Sequence, residues 1–135
     1  MDIVKVSDPK VAKELKQFFT EDGLYCKDEI YQEIFGLMTF KPNDIAVIVL
    51  RDDGELKGFA IATVEANREY IWISQAWYNP NCKRIHGKQA INMLKQWAIE
   101  EHNKHEIRFE TERSPRAIKR AWGFKVHSYI MKCEF

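Results

Sequence analysis

The feature that most constrains the fold is an Asp-Gly pair between two apolar runs. Asp53-Gly54 follows the β-branched run of residues 45–50 and precedes the apolar residues 56–64. An Asp-Gly turn joins antiparallel strands, because both of its residues tolerate the positive φ that matches the twist of the strands. A second turn at residues 67–68 leads into residues 70–78. The three runs therefore predict an antiparallel meander.

The first 40 residues predict a short strand and two helices. Residues 3–6 form an apolar start, Ser7 is suited to cap the following helix, and Pro9 is suited to its first turn. One apolar stripe at helical spacing comes next and consists of Val11, Ala12, Leu15, Phe18 and Phe19. A second helix is predicted over residues 28–38, with apolar residues on its inner side.

A long amphipathic helix and further strands follow the meander. The helix comes after the loop of residues 84–89 and turns an apolar face to the sheet. That face contains Ala90, Ile91, Leu94, Trp97 and Ala98. Residues 106–111 predict a strand, residues 114–121 a short helix, and residues 126–135 one final strand. Since no linker or repeat interrupts residues 1–135, we expect a single α+β domain with a mixed, mostly antiparallel sheet flanked by helices.

Composition excludes several classes of protein. Of the 135 residues, 45% are hydrophobic and 30% charged, which is typical of a soluble globular domain. The longest apolar run has six residues, whereas a membrane helix needs about 20, and the N-terminus lacks the pattern of a secretory signal. Cys26, Cys82 and Cys133 show no Cys-x-x-Cys spacing, so we predict no metal site and reduced thiols in a cytoplasmic protein.

Charge is distributed unevenly along the chain. Residues 1–80 hold nine Lys/Arg against fourteen Asp/Glu, a net charge of −5, and residues 81–135 hold twelve against six, a net charge of +6. The basic part suits a phosphate-bearing ligand, or it is a solvated face of mixed charge. Because five glutamates interrupt residues 100–112, a nucleic-acid groove is disfavoured.

Three local patterns carry a resemblance to a known family. Glu55 to Ala60 reads Glu-Leu-Lys-Gly-Phe-Ala directly after the hairpin, Arg84 to Gln89 reads Arg-Ile-His-Gly-Lys-Gln after the third strand of the meander, and residues 117–125 contain Gly123-Phe124 after a short helix. In this order they resemble the GCN5-related N-acetyltransferase (GNAT) family over almost the whole chain. The resemblance implies transfer of an acetyl group from acetyl-CoA to an amine, and it leaves the acceptor open.

The second pattern also has a physical meaning of its own. A strand end followed by a helix start leaves backbone N–H groups unpaired and directed at one point, which suits a pyrophosphate. The alternative is a basic helix start without a ligand. The resemblance implies cofactor contacts from Arg84, Ile85, His86, Gly87, Lys88, Gln89 and Ala90. Gln89 stands where the family has a small residue, and the spacing from Pro80 to Gly87 is one residue longer.

The resemblance also implies where the acetyl group is held. It lies beside the strand of residues 70–78, where Gln75, Ala76 and Trp77 would hold the pantetheine arm with backbone groups. Trp77 and Tyr78 are neighbours and face opposite sides of the sheet, so at most one of them lines the cleft.

No motif fixes the residue that transfers the proton. Lys119 occupies the position of the family's usual tyrosine, where it is either a surface residue or a charge beside the leaving sulfur. Tyr129 on the final strand is a candidate acid or a core residue. His127, with the opposite parity on that strand, is a candidate base or a surface residue.

Two further readings stay open beside the acyltransferase. One is a relative of this fold that has lost catalysis and serves a structural or interaction role, as do some similar proteins of tailed bacteriophages. That reading would make the chain a component of a viral particle in the host cytoplasm. The other is a nucleic-acid-binding module, which lacks a motif of stacking aromatic residues. A homodimer is compatible with the acyltransferase and with the relative that has lost catalysis.

Overall fold

The structure is built on seven strands and three helices in the part of the chain that it describes. It is a computed structural model that describes residues 1–21, 25–110, 125–127 and 130–135. The strands are β1 (Asp2–Lys5), β2 (Ile45–Asp52), β3 (Glu55–Val64), β4 (Ile71–Tyr78), β5 (Glu106–Glu110), β6 (Lys125–His127) and β7 (Ile130–Glu134). The helices are α1 (Val11–Leu15), α2 (Lys27–Phe40) and α3 (Arg84–His102), with short 3-10 turns at Lys16–Phe18 and Pro42–Asp44.

The strands form one mixed sheet in the order β1-β2-β3-β4-β5-β7-β6. β2, β3 and β4 pair as consecutive antiparallel neighbours, which confirms the predicted meander. Asp53 and Gly54 have φ angles of 50° and 78°, as an Asp-Gly hairpin turn requires. β4 and β5 are parallel, because α3 connects them. The mixed, mostly antiparallel sheet with helices against it confirms the α+β class.

Helices cover both faces of the sheet, so each face has its own core. Ile48 and Leu50 of β2 pack toward α3, and Val47 and Val49 pack toward α1 and α2. Successive residues of a strand point to opposite faces, and here both faces are buried. This explains why residues 45–50 are continuously apolar instead of alternating with polar residues.

The start of the first helix differs from its prediction. α1 begins at Val11 with Lys10 in the N-cap position, so Ser7 is not its cap. Asp8 takes over the local capping, because its carboxylate accepts a hydrogen bond of 3.0 Å from the Lys10 N–H. An Asp side chain that bonds the backbone two residues later forms a turn of its own. That turn contains Pro9, and the helix therefore begins only after it, at Val11.

The single final strand predicted over residues 126–135 is also wrong. The structure has two strands there, β6 and β7, which pair antiparallel with Lys125 opposite Lys132 and His127 opposite Ile130. β7 pairs in turn with β5, so it has a partner on each side. Folding back satisfies the backbone hydrogen bonds of β7 on both edges, which one extended strand at the edge of the sheet would not do.

Several predictions fall on residues outside this description. The short helix over residues 114–121 and Gly123 lie there, as do Lys119 and Tyr129. Among the residues that the structure describes, no helix combines the length and the apolar character that a membrane crossing requires.

Candidate functional site

β4 contains an irregularity at its centre. Ile61 of β3 pairs with Gln75 and Ala62 pairs with Ile73, so Ser74 is an extra residue on β4. Such a bulge bends its strand and re-aims the neighbouring side chains. Ser74 and Gln75 consequently line the same cleft although they are adjacent in sequence, while Ile73 packs into the core beneath α3.

β4 parts from β5 just before this bulge. The two strands pair at only two positions, Ile71 with Ile107 and Trp72 with Arg108. From Ile73 to Tyr78, β4 has no strand partner on that side in the described part of the chain. An open strand edge presents N–H and C=O groups that can bind an extended ligand. Within the described residues, β4 is thus unpaired beside Gln75, Ala76 and Trp77, where the opening is predicted.

The last two residues of β4 are fixed by packing on opposite faces, as predicted. The Trp77 ring stacks on Phe18, with 3.9 Å between ring centroids, and Tyr78 packs toward the core beneath α3. Burial raises the pKa of the Tyr78 phenol well above its ordinary value. Gly58, opposite Tyr78, makes room for this arrangement, because a Cβ at that position would lie 2.8 Å from Tyr78 Cδ1 and 2.9 Å from the Trp77 carbonyl oxygen.

The Gln75 side chain is engaged with the chain segment between α1 and α2. Its Oε1 accepts a hydrogen bond of 2.8 Å from the Thr20 N–H, and its Nε2 donates one of 3.1 Å to the Thr20 carbonyl oxygen. The side chain is thus occupied within the protein. Any contact of Gln75 with a cofactor would come from its backbone.

The predicted loop of residues 84–89 is helical, since α3 begins at Arg84. The N–H groups of Gly87 and the following residues lie in the helical hydrogen-bond ladder, and the His86 N–H donates to the Lys83 carbonyl oxygen over 3.0 Å. The N–H groups of Arg84 and Ile85 have no acceptor among the described residues, and no side chain caps the helix. The unpaired N–H groups therefore belong to the first turn of α3, whereas the predicted cofactor contacts extend from Arg84 to Ala90.

Cations surround this first turn. Lys83, Arg84 and Lys88 are exposed, and none of them forms an ion pair within the residues that the structure describes. Gly87 and Ala90 are buried, and Ala90 belongs to the core between α3 and the sheet. Gln89 is exposed and its Oε1 lies 3.5 Å from His86 Nδ1, so the side chain that replaces the small residue is on the outside of the helix.

A cleft of about 230 Å³ lies between α2 and the same strand, on the sheet face opposite α3. Its lining includes Tyr25, Glu33, Arg68, Trp72, Ser74 and Gln75. From the sequence, Glu33 is one of several acidic residues in the first 80 that either attract a cationic amine or form a solvated surface, and the other four new lining residues, Tyr25, Arg68, Trp72 and Ser74, have no predicted site role. No local signal places these residues in one cleft, because α2 and β4 are separated by the whole hairpin and meet only in the folded chain.

The candidates for proton transfer are not brought into this cleft by the described structure. Lys119 and Tyr129 lie outside the described residues. His127 belongs to β6, which is three strands from β4 in the sheet order. At a usual spacing of about 4.8 Å between strands, its backbone is about 14 Å from β4.

Comparisons with known proteins agree with this geometry. Residues 9–124 match the family model described as the acetyltransferase (GNAT) family. No curated protein sequence is significantly similar to the chain.

Several solved structures share the fold. One is the PaiA N-acetyltransferase from Thermoplasma acidophilum in complex with coenzyme A, with 16% identity, 100% of each chain covered and a TM-score of 0.70. Another is the aminoglycoside 6'-N-acetyltransferase from Enterococcus faecium, with 13% identity, 99% of this chain and 97% of that chain covered and a TM-score of 0.71. A third is yncA from Salmonella typhimurium with its cofactor acetyl-CoA, with 14% identity, 98% and 92% coverage and a TM-score of 0.69.

Proposed function

The chain belongs to the acetyltransferase (GNAT) family, and from this premise we propose that it is an N-acetyltransferase that uses acetyl-CoA and acetylates an amine. The observation that carries the proposal is the junction of β4 and α3. β4 opens its edge after Trp72, and α3 begins within a few residues of the end of that strand. An extended ligand with a charged end could therefore lie along β4 and reach the helix start.

The described residues fit two parts of coenzyme A, the pyrophosphate and the pantetheine arm. The unpaired N–H groups of Arg84 and Ile85, reinforced by the helix dipole, suit the pyrophosphate. Arg84, Lys83 and Lys88 add positive charge at the same place. The backbone of Gln75, Ala76 and Trp77 on the open edge of β4 suits the amide groups of pantetheine, which pair as a further strand would. The residues from His86 to Ala90 would not bind the pyrophosphate through unpaired N–H groups but would hold the start of α3 in the orientation that directs its dipole at the pyrophosphate.

The chemistry requires little beyond positioning. Acetyl-CoA supplies a thioester, at which the nitrogen of the neutral amine bonds to the carbonyl carbon, the carbon–sulfur bond breaks, and the nitrogen gives up a proton to solvent or to a side chain. The chain holds the thioester beside the Ser74 bulge and the amine in the neighbouring cleft, which removes the entropic cost of their encounter. The thiolate takes a proton from solvent or from a side chain.

We propose Lys119, Tyr129 and His127 as the residues to test for that proton transfer. A protonated lysine stabilises a thiolate by charge but is a poor acid near neutral pH, since its ordinary pKa is about 10.4. Slow turnover is the consequence. If Lys119 lies at the leaving sulfur, Lys119→Tyr should raise the rate of thiol release. Three free thiols, Cys26, Cys82 and Cys133, suit a cytoplasmic location for this reaction.

Two measurements test the proposal. Calorimetric titration with acetyl-CoA should show binding at micromolar concentration, and acetyl-CoA with a panel of amines should release thiol above the background rate. Binding without release from any amine would indicate a scaffold that kept the cofactor site. Absence of both would contradict the proposal and favour a non-catalytic relative, such as a structural component of a viral particle.

A further inference from the structure

The cleft between α2 and β4 holds an uncompensated negative charge. Glu65 and Arg68 both line it and neutralise each other, with 3.1 Å between Glu65 Oε2 and Arg68 Nε. Arg68 also lies over the Tyr70 ring, with 5.7 Å from its guanidinium carbon to the ring centroid. Glu33 on α2 forms no ion pair with the residues that the structure describes. Its carboxylate is therefore available to a cation entering the cleft.

Aromatic rings line the same cleft as this carboxylate. Trp72 on β4 and Tyr25 just before α2 line the same cleft, and Tyr25 is 50% exposed. Tyr70 already has Arg108 over its ring, with 4.1 Å between the guanidinium carbon and the ring centroid. An aromatic face attracts a cation, most strongly when water is excluded. The walls and the carboxylate thus favour an ammonium group.

The size of the cleft limits the ligand. A volume of about 230 Å³ corresponds to about eight water-sized groups and is below the usual range of about 300 to 1,000 Å³ for ligand pockets. Ser74 and Gln75, at the bulge, belong to the lining. One end of a ligand in the cleft would therefore reach the Ser74 bulge of β4, beside which we propose that the thioester is bound.

From these observations we infer that the acceptor is a small linear diamine, whose one ammonium group is bound by Glu33 between aromatic rings and whose other amine is acetylated. An alkane of four to six carbons with an amine at each end has about six to eight non-hydrogen atoms, which fits the cleft. This inference rests on the proposed function for the reaction, but the binding site can be tested without it.

The test compares three amines that differ only at the end distant from the reacting nitrogen. 1,4-Diaminobutane, 1-aminobutane and 4-aminobutanoate are titrated against the protein by calorimetry at one ionic strength, with and without coenzyme A. The diamine should bind at least tenfold more tightly than 1-aminobutane, and 4-aminobutanoate should bind least. Preference for 4-aminobutanoate would overturn the inference, since Arg68 would then select a carboxylate.

A pair of variants identifies the carboxylate. Glu33→Gln should remove the preference for the diamine, while the dissociation constant of acetyl-CoA stays unchanged. Glu101→Gln is the matched control, because it removes the same charge from an exposed position on α3, on the other face of the sheet. Equal diamine binding by the wild type and Glu33→Gln would refute the inference.

The outcomes also separate this inference from the proposed function. Diamine binding that depends on Glu33, without thiol release from acetyl-CoA, would support the site and contradict the enzyme. Thiol release with other amines, without diamine binding, would support the enzyme and contradict the site.

Discussion

The Gln75 side chain and the Thr20 backbone form a reciprocal pair of hydrogen bonds across 55 positions of sequence. The pair joins the β4 bulge to the segment that leads from α1 to α2. Ser74 and Gln75 line the cleft from one side, and Tyr25 lines it from the segment that Thr20 anchors. Gln75 is thus a positioning residue for the cleft as well as part of the strand with the open edge.

Replacing Gln75 should therefore affect stability and the acceptor more than the cofactor. Gln75→Ala leaves both Thr20 groups without their side-chain partner, and each hydrogen bond contributes about 1 kcal/mol, so we expect a loss of about 1 to 2 kcal/mol in urea unfolding. The KM for the amine should rise while the dissociation constant of acetyl-CoA changes little. Gln96→Ala is the control, since Gln96 bonds only within α3 among the described contacts. Equal stability of both variants would show that the Thr20 pair contributes nothing.

A second prediction concerns the close approach of β3 to β4. Gly58→Ala would place a Cβ 2.8 Å from Tyr78 Cδ1 and 2.9 Å from the Trp77 carbonyl oxygen. Because the carbonyl belongs to the backbone of a paired strand, β4 must shift, and overpacking of this kind costs about 1 to 3 kcal/mol. The shift would also move the open edge at Trp77, so acetyl-CoA binding should weaken.

Gly36→Ala is the matched control for that substitution. Gly36 lies inside α2, and a Cβ there meets nothing within 4 Å. Alanine at this position should stabilise the protein by about 0.5 to 1 kcal/mol, because it lowers the conformational entropy of the unfolded chain. Thermal unfolding that shifts in the same direction for both variants would contradict the steric explanation.

Local sequence patterns predicted most of the described elements but not the contacts between them. Asp53-Gly54 sets the hairpin, and the alternation that ends at Tyr78 was sufficient to place Trp77 and Tyr78 on opposite faces. The bulge at Ser74 gave no signal, since one extra residue leaves β4 as apolar as a regular strand. The hydrogen bonds between Gln75 and Thr20 depend on long-range packing, which periodicity does not encode. The same holds for the cleft that Glu33 and Trp72 line together.

The helix start was misplaced for a physical reason. Gly87 lowers the local helix propensity, and basic residues oppose the dipole at a helix start, yet these residues lie in the first two turns of α3. Gly87 and Ala90 are buried, Ala90 packs in the core between α3 and the sheet, and this tertiary packing outweighs the weak propensity. The turn from Asn79 to Cys82, in which the Cys82 N–H donates to the Asn79 carbonyl oxygen over 2.9 Å, ends just before it.

The ion pair between Glu14 and Arg51 should make stability depend on pH. Arg51 Nη1 donates to Glu14 Oε2 over 3.0 Å, and the hydrogen bond with Arg51 holds the pKa of the Glu14 carboxyl below its ordinary value of 4.5. Because the folded pKa is the lower one, the stabilisation is complete above about pH 4.5 and is lost as the pH falls through the folded value. The pair is partly exposed, so its contribution is about 0.2 to 1 kcal/mol.

Glu14→Gln tests that dependence. The variant should be less stable than the wild type at pH 7, by at most about 1 kcal/mol, and the two proteins should converge at the acid end of a urea-unfolding series. Added salt should shrink the difference at pH 7, because screening weakens an exposed ion pair. A difference that persists unchanged in acid would assign the effect to packing instead of charge.

The start of α3 allows a backbone donor to be removed while the helix is kept. Arg84 is the first residue of the helix, where proline is tolerated, and the preceding Lys83 has φ −69° and ψ 145°, the extended conformation that a residue before proline prefers. Arg84→Pro removes both the side chain and the N–H, whereas Arg84→Ala removes only the side chain.

Hydrogen bonds to charged groups contribute about 1.5 to 3 kcal/mol. We therefore expect Arg84→Ala to weaken acetyl-CoA binding a few-fold and Arg84→Pro to weaken it by at least a further tenfold, at equal melting temperature. Calorimetric titrations of the two variants measure the difference directly, and identical affinities would place the pyrophosphate away from the Arg84 N–H.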